Sequence, residues 1–439
     1  MKFLKVLVCF AVVLSIMLSA CSQTPVEQPA PSVEEAGAVT IKVQGPGNET
    51  QYELDQKLAA EFTAETGINV EVVRGPDSTT DRLNEYLVLL GNEVSEFDVY
   101  QIDVIWPGIL ADHMVNLNEA LSEEAATHFP AIIENNTVDG HLVGMPWYTD
   151  AGMLYYRTDL LEKYGFDGPP ETWDELEEMA QTIQAGERSA GNEEFWGFVW
   201  QGNNYEGLTC DALEWQASHG GGQIIEADGT INVNNPECIA AFERAAGWVD
   251  TISPPDITKY LEEDSREIWQ AGNAAFMRNW PYAYALGNSD DSPIKDQFDV
   301  ALLPDGGGGH AATLGGWQLA VSNYSDHQQA AIEFVKYMTS PEVQKQRSIE
   351  AAYAPTIPEL YEDEEVVEAN PYYSTLQDVF FGEAVARPSS VSGEAYAEVS
   401  YLYFNAIHDI LSGDVTASEA LLALETNLTA LTQYEAQSP

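Results

Sequence analysis

Eight side chains spread along the chain, Glu49, Asp103, Tyr148, Asp150, Trp280, Tyr282, Trp317 and Arg387, combine flat aromatic faces with carboxylates and one guanidinium. Aromatic faces stack on the C–H side of a ring, and charged groups hydrogen-bond its hydroxyls with about 1.5–3 kcal/mol each. The set suits a neutral polyol or sugar. A phosphate would ask instead for clustered Arg or a helix N-terminus, and a polyamine for acids without hydroxyl-directed partners. An isolated Trp more often packs a core. These, however, sit where aromatic and Gly/Pro punctuation interrupts the chain three times, at Trp147-Tyr148, Trp280-Pro281-Tyr282 and Gly315-Gly316-Trp317.

The elements that must carry them can be read from periodicity. The first break, GMPWYTDAGMLYYR from Gly144 to Arg157, is a bend feeding a strand. Before it, strand-like segments at 38–43, 68–73 and 97–102 alternate with helix-like ones at 51–66 and 81–90. Such alternation predicts an α/β fold with a mostly parallel sheet that binds ligands at the strands' C-terminal ends, where Glu49 and Asp103 fall. Three breaks predict two lobes built from discontinuous segments with a cleft between them: 39–147 plus 283–313 as the first lobe, 151–279 plus 318–439 as the second, and hinge crossings near 148–150, 280–282 and 314–317.

The chain opens with Lys2 and Lys5, an apolar run from Val6 to Leu18, and Leu18-Ser19-Ala20-Cys21. A charged start, a short apolar stretch and small residues describe a secretory signal over 1–20. LSAC resembles the lipobox of bacterial lipoproteins, which implies lipidation at Cys21 and an exported protein anchored to the cell membrane, facing the periplasm or the exterior. Residues 21–38 are rich in Pro, Glu, Gln and Ser and read as a disordered tether. Without the signal, 16 basic residues face 71 acidic ones, a formal charge of −55. A surface so acidic repels nucleic acid and anionic lipid, so the membrane is met only through the lipid anchor, and it suits a saline habitat. Cys210 and Cys238 remain as an even pair in an oxidising compartment and are expected to form a disulfide. Scattered His and no CxxC or HExxH predict neither metal nor cofactor.

FDVYQIDVIWPG, GMPWYTDAGMLYYRTDLLEKYGFDGPPETWDEL, FWGFVWQGNNYEGLTCD, GNAAFMRNWPYAYAL and AATLGGWQLAVS resemble stretches of the trehalose/maltose-binding proteins of ABC importers, of the maltose-binding-like solute-binding class, and the resemblance runs over residues 39–431. It implies a two-lobed, type II periplasmic-binding-protein fold with three crossover segments, closing on a disaccharide that it hands to the transmembrane subunits of a permease. By matching motif the ligand contacts fall on Glu49, Asp103, Tyr148, Asp150, Trp280, Gly316 and Trp317, with Arg82 on an early helix and Arg387 in the ARP motif. Beyond Arg387 the relatives' aromatics are replaced by Ser389, Ser390, Val391, Ser392 and Gly393, with Tyr396 the nearest aromatic, so one wall of the far subsite is open or differently filled. Sucrose, palatinose or a longer glucoside are the other ligands compatible with this pattern, and a sugar-sensing role the other receptor function. A glycosidase would use Asp103 and Asp150 as acid and base, but the acids and aromatics are spread as a binding set is. A monomer is expected.

Overall fold

The structure is a computed structural model that describes residues 39–378 and 384–437. The signal segment, Cys21 and the tether lie outside the described residues. Strands Thr40–Gln44 (β1), Asn69–Val73 (β2) and Val99–Asp103 (β3) form a parallel core with β1 in the middle. Every residue of β3 is buried, as a strand covered on both faces must be. Val99 packs with Leu58 and Phe62 of helix Glu49–Thr66, whereas Tyr100 and Ile102 pack with Leu83, Tyr86 and Leu90 of helix Thr79–Gly91 on the opposite face. Asn48 and Ser78 cap these helices by accepting hydrogen bonds from the backbone N–H groups of Gln51 and Asp81.

A small hairpin, Thr137–Val138 (β4) and His141–Leu142 (β5), leads into Met145–Ala151 (β6). One residue, Gly152, then separates β6 from Met153–Arg157 (β7), which belongs to a second sheet. A Cβ on Gly152 would stand 2.1 Å from Glu214 Oε1 and 2.7 Å from Arg278 Nη2, so no side chain fits at this passage. The second sheet has the order β10-β7-β9-β8, with β8 at Trp196–Val199, β9 at Ala274–Asn279 and β10 at Phe298–Ala301. Its core is rich in indoles: Trp200 meets Trp215 edge to face with ring centroids 5.0 Å apart, and both lie beside Trp248. Ala312–Val321 (β11) returns the chain to the first sheet, antiparallel to β3 and to β6, and at its start parallel to Ala384–Val385 (β12).

Strand pairing corrects the expected lobe boundaries. Phe298–Ala301 pairs with β7, so 283–313 is not a segment of the first body. Conversely Phe334, Val335, Met338 and Val343, on helices Gln328–Met338 and Pro341–Ala351, pack into the cluster of Ile41, Leu58 and Phe62, which moves 318–351 into it. The bend at Trp280 is no crossing either: the Tyr155 hydroxyl of β7 donates to the carbonyls of Trp280 (2.7 Å) and Pro281 (3.2 Å), tying the bend to the second sheet. The passages between bodies fall at Gly152, in the loop 302–311, and between Tyr353 and Ala354, which belong to different cores.

The expected disulfide is absent: Cys210 and Cys238 are both free and buried. Cys210 lies in the second turn of helix Glu206–Ser218, and Cys238 packs against Gly221 beyond that helix's far end, 3.4 Å from the Gly221 carbonyl oxygen. Cys210 and Ser218 are eight helical positions apart, about 12 Å of rise, well outside disulfide reach.

Candidate functional site

The register of the first sheet places three of the sequence candidates side by side. Trp317 on β11 is directly opposite Asp103 on β3 and Tyr148 on β6, so all three share one face of the sheet. Gly315 stands opposite Asp150 and Gly316 opposite Thr149. Gly316 holds φ +121°, and a Cβ there would come within 2.7 Å of the Tyr148 carbonyl oxygen, which is why a residue without a side chain occupies this position. The Tyr148 hydroxyl, buried, accepts from Gln51 Nε2 at 3.2 Å and Gln101 Nε2 at 3.3 Å. The Trp317 ring meets Trp106 edge to face at 5.5 Å, and the Arg82 guanidinium carbon lies 4.9 Å from its centre.

The second body supplies the facing wall. Trp280 is half-buried at the end of β9, with the Arg278 guanidinium carbon 4.1 Å from its ring centre. Arg278 is itself locked by Asp211 (3.0 Å) and by Glu214, whose Oε2 accepts from its Nε at 2.9 Å. Glu214 Oε1 also accepts from the Thr313 N–H of β11 at 3.0 Å, tying this network to the first sheet. Tyr282 donates its hydroxyl to Glu263 Oε1 at 2.6 Å. Arg387 spans both bodies: Nη2 donates to Asp103 Oδ1 and Nη1 to Glu206 Oε1, each at 2.9 Å. Glu206 further accepts from Ser400 Oγ at 2.6 Å and from the Tyr396 hydroxyl. These walls enclose a cleft with about 1,060 Å³ of empty space including its mouth, at the upper end of the small-molecule range.

Nine of the ten expected ligand residues line this cleft: Arg82, Asp103, Tyr148, Asp150, Trp280, Tyr282, Gly316, Trp317 and Arg387. Glu49 does not. As the first residue of its helix it points outward, exposed and paired with Arg74, and its neighbours Asn48 and Gln51 line the cleft instead. Sequence reasoning also missed Glu206, Gln101, Tyr353, Cys210 and the acidic run Glu262, Glu263 and Asp264. For Glu206 there was a signal, its place at the end of the loop 202–207. Gln101, Cys210 and the acidic run sit inside helices and strands that periodicity assigns only to packing, and Tyr353 lies in the loop just past helix Pro341–Ala351. Tyr396 does not fill the wall opened by the serines after Arg387: it is buried behind Arg387 with its hydroxyl on Glu206.

Asp150 is the electrostatic centre. Its Oδ1 is buried without a hydrogen-bond partner, and burial, reinforced by the Asp103 charge, holds its carboxyl well above the usual carboxylate range against the pull of Arg278 and Arg347. Burial also raises Glu206, opposed chiefly by Arg387, and pushes the Cys210 thiol well up, leaving it protonated and unreactive. Arg82, 3% exposed, keeps Nε and Nη1 unpaired while Nη2 donates to the Pro76 carbonyl at 2.9 Å. The cleft therefore offers unpaired acceptors and donors together with aromatic faces.

Two α/β bodies joined by several passages, with such a cleft between them, define the class of hinge-closing solute receptors. A family model for bacterial extracellular solute-binding proteins matches residues 46–345, and the chain belongs to that family, within its maltose-binding-like, ABC-transporter branch. A probable ABC transporter-binding protein of Deinococcus radiodurans is 48% identical over 399 residues, covering 90% of this chain and 94% of that one. The maltose-bound MalE3 of T. maritima superposes with a TM-score of 0.85 at 39% identity, covering 90% of this chain and 100% of its own. A solute-binding protein of Thermotoga lettingae bound with alpha-D-tagatose, 23% identical, shares the fold with a TM-score of 0.81 over 90% of this chain and 100% of that one.

Proposed function

We propose that this protein captures a disaccharide of the trehalose/maltose type in the interlobe cleft and delivers it to an ABC permease, held at the membrane by a lipid on Cys21. The observation that carries the reading is the unpartnered, buried Asp150 Oδ1 beside the Trp280 face. The two are adjacent: a Cβ on Gly315 would stand 2.9 Å from the Trp280 ring and 3.2 Å from Asp150 Cβ. A carboxylate oxygen kept dry and unsatisfied next to an indole is matched by a ring compound that brings a hydroxyl and a C–H face together. The 39% identical MalE3 holding maltose supports the sugar class.

Closure follows from where the contacts lie. A sugar seated on Asp103, Tyr148, Asp150 and Trp317 of the first sheet gains Trp280 and Tyr282 only when the second body comes over it, and that difference between states drives closing. Asp103, engaged by Arg387 at 2.9 Å, suits a fixed acceptor rather than a proton shuttle, so the sugar leaves intact. Calorimetric titration of residues 39–439 with trehalose, maltose and sucrose, and maltotriose as control, tests the proposal. Tight one-to-one binding of a disaccharide recovered unhydrolysed is expected. Absence of heat with all four, or release of monosaccharide, would sink it.

A further inference from the structure

Besides the walls that would face a ligand, the two bodies touch directly at the mouth of the cleft. Asn48 Nδ2, at the start of the first helix, donates to Glu263 Oε1 on helix Glu262–Gln270 at 2.8 Å, across 215 positions of sequence. Neither side chain is free to wander. Asn48 spends its Oδ1 on the Gln51 N–H at 3.0 Å as the helix cap, which aims its amide outward. Glu263 is held from within its own body by the Tyr282 hydroxyl at 2.6 Å and by Arg266 Nε at 2.8 Å. Asp77, 3.8 Å from Arg74, lines the cleft on the side of Asn48, and Glu262 and Asp264 flank Glu263 along its helix. To this acidic rim the Asn48 amide presents a neutral donor.

We infer that Asn48 and Glu263 form a latch across the cleft mouth that sets how long the closed form persists, apart from any contact with the ligand. This rests on the proposed opening and closing of the two bodies. Glu263 thereby acts as a positioning residue: it receives the incoming body with a carboxylate already oriented. The same contact biases the empty protein toward its closed form, since nothing in it requires a bound molecule.

The chemistry of the pair supplies its own test. Asn48→Asp retains the helix cap, because Asp caps as well as Asn, yet sets a carboxylate against Glu263. Adding Glu263→Gln to that variant restores a donor facing an acceptor. With maltose as probe and stopped-flow Trp fluorescence as readout, Asn48→Asp is expected to raise the dissociation rate about tenfold, as loss of a charge-assisted hydrogen bond implies, with the association rate within about twofold of the parent. The double variant returns the dissociation rate toward that of the parent. Small-angle scattering of the sugar-free proteins provides the second arm: a larger radius of gyration for Asn48→Asp, reversed in the double variant. An unchanged dissociation rate, or a double variant no slower than the single one, overturns the latch. If maltose does not bind the parent protein, the sugar assignment fails by itself, and an unchanged radius of gyration still overturns the latch.

Discussion

A carboxylate that is dry and unpartnered in an empty cleft destabilises the protein until a ligand arrives. Asp150 is in that position, so its replacement separates binding from stability. Asp150→Asn keeps an acceptor for a hydroxyl but removes the ionisable carboxyl that burial pushes toward its protonated form. It should raise the melting temperature of the sugar-free protein while weakening sugar binding about tenfold, because a ligand hydroxyl that pairs Oδ1 favours the ionised carboxylate and its stronger, charged hydrogen bond. Thermal scans and titrations on the same preparation check both signs, and a lower melting temperature would show that the carboxylate is a structural anchor. Trp280 behaves differently. Being half-buried, with Arg278 behind it, it presents one face to the cleft, and truncation removes that face while Arg278 stays locked by Asp211 and Glu214. Trp280→Ala should therefore weaken sugar binding at least tenfold with little effect on folding. Equal affinity measured by calorimetry would remove Trp280 from the site.

At the scale of elements the site depends on β11, because it carries Trp317 between Asp103 and Tyr148 and changes register just after, between Trp317 and Gln318. Gly316 makes that register possible. Gly316→Ala would combine a positive φ with a clash against β6, a strain of about 1–3 kcal/mol, and should lower both the denaturant midpoint and sugar affinity. A variant as stable as the parent would mean that the strand shifts freely. Much of this architecture was legible beforehand: the strand and helix alternation up to Asp103 follows from local periodicity, and the aromatic punctuation pointed to Tyr148, Asp150, Trp280 and Trp317. Sheet membership was not legible, since whether Phe298–Ala301 or Ala312–Val321 returns to the first sheet is decided by long-range pairing that local pattern does not encode. Glu49 failed for a smaller reason: Asn48 is the extended cap just before it and Gln51 lies two helical positions, about 200° of rotation, further on, so both reach the cleft while Glu49 faces away from it. The disulfide failed because an even cysteine count says nothing of separation along a helix.

Across the whole molecule, charge sets the response to solution conditions. The formal balance of −53 is screened by salt, so the melting temperature should climb between low and molar sodium chloride, and a flat response would deny that repulsion matters. The response to pH follows from buried groups whose folded and unfolded proton affinities differ. Asp55, buried against Arg347, is raised to about 6 by burial, with Arg347 opposing. Asp150, Glu206, Asp211 and Glu262 are also raised chiefly by burial. For each, the folded state holds its proton more tightly than the unfolded one, so the stability it contributes is full at low pH and lost as pH rises through the folded value. His128 acts in the opposite sense: burial lowers it to about 4, so its contribution is present above the unfolded value of 6.5 and lost as pH falls toward 4. His219, lowered by burial in the same direction, adds to it. Over pH 4 to 6.5 Asp55 and His128 act against each other: as pH falls, Asp55 adds stability and His128 removes it. His128→Gln leaves Asp55 unopposed there, so the melting temperature of the variant relative to the parent should rise as pH is lowered from 6.5 toward 4. Thermal scans of both proteins at constant ionic strength decide it, and a difference that does not change with pH would mean that His128 takes up its proton in the folded protein as readily as in the unfolded chain.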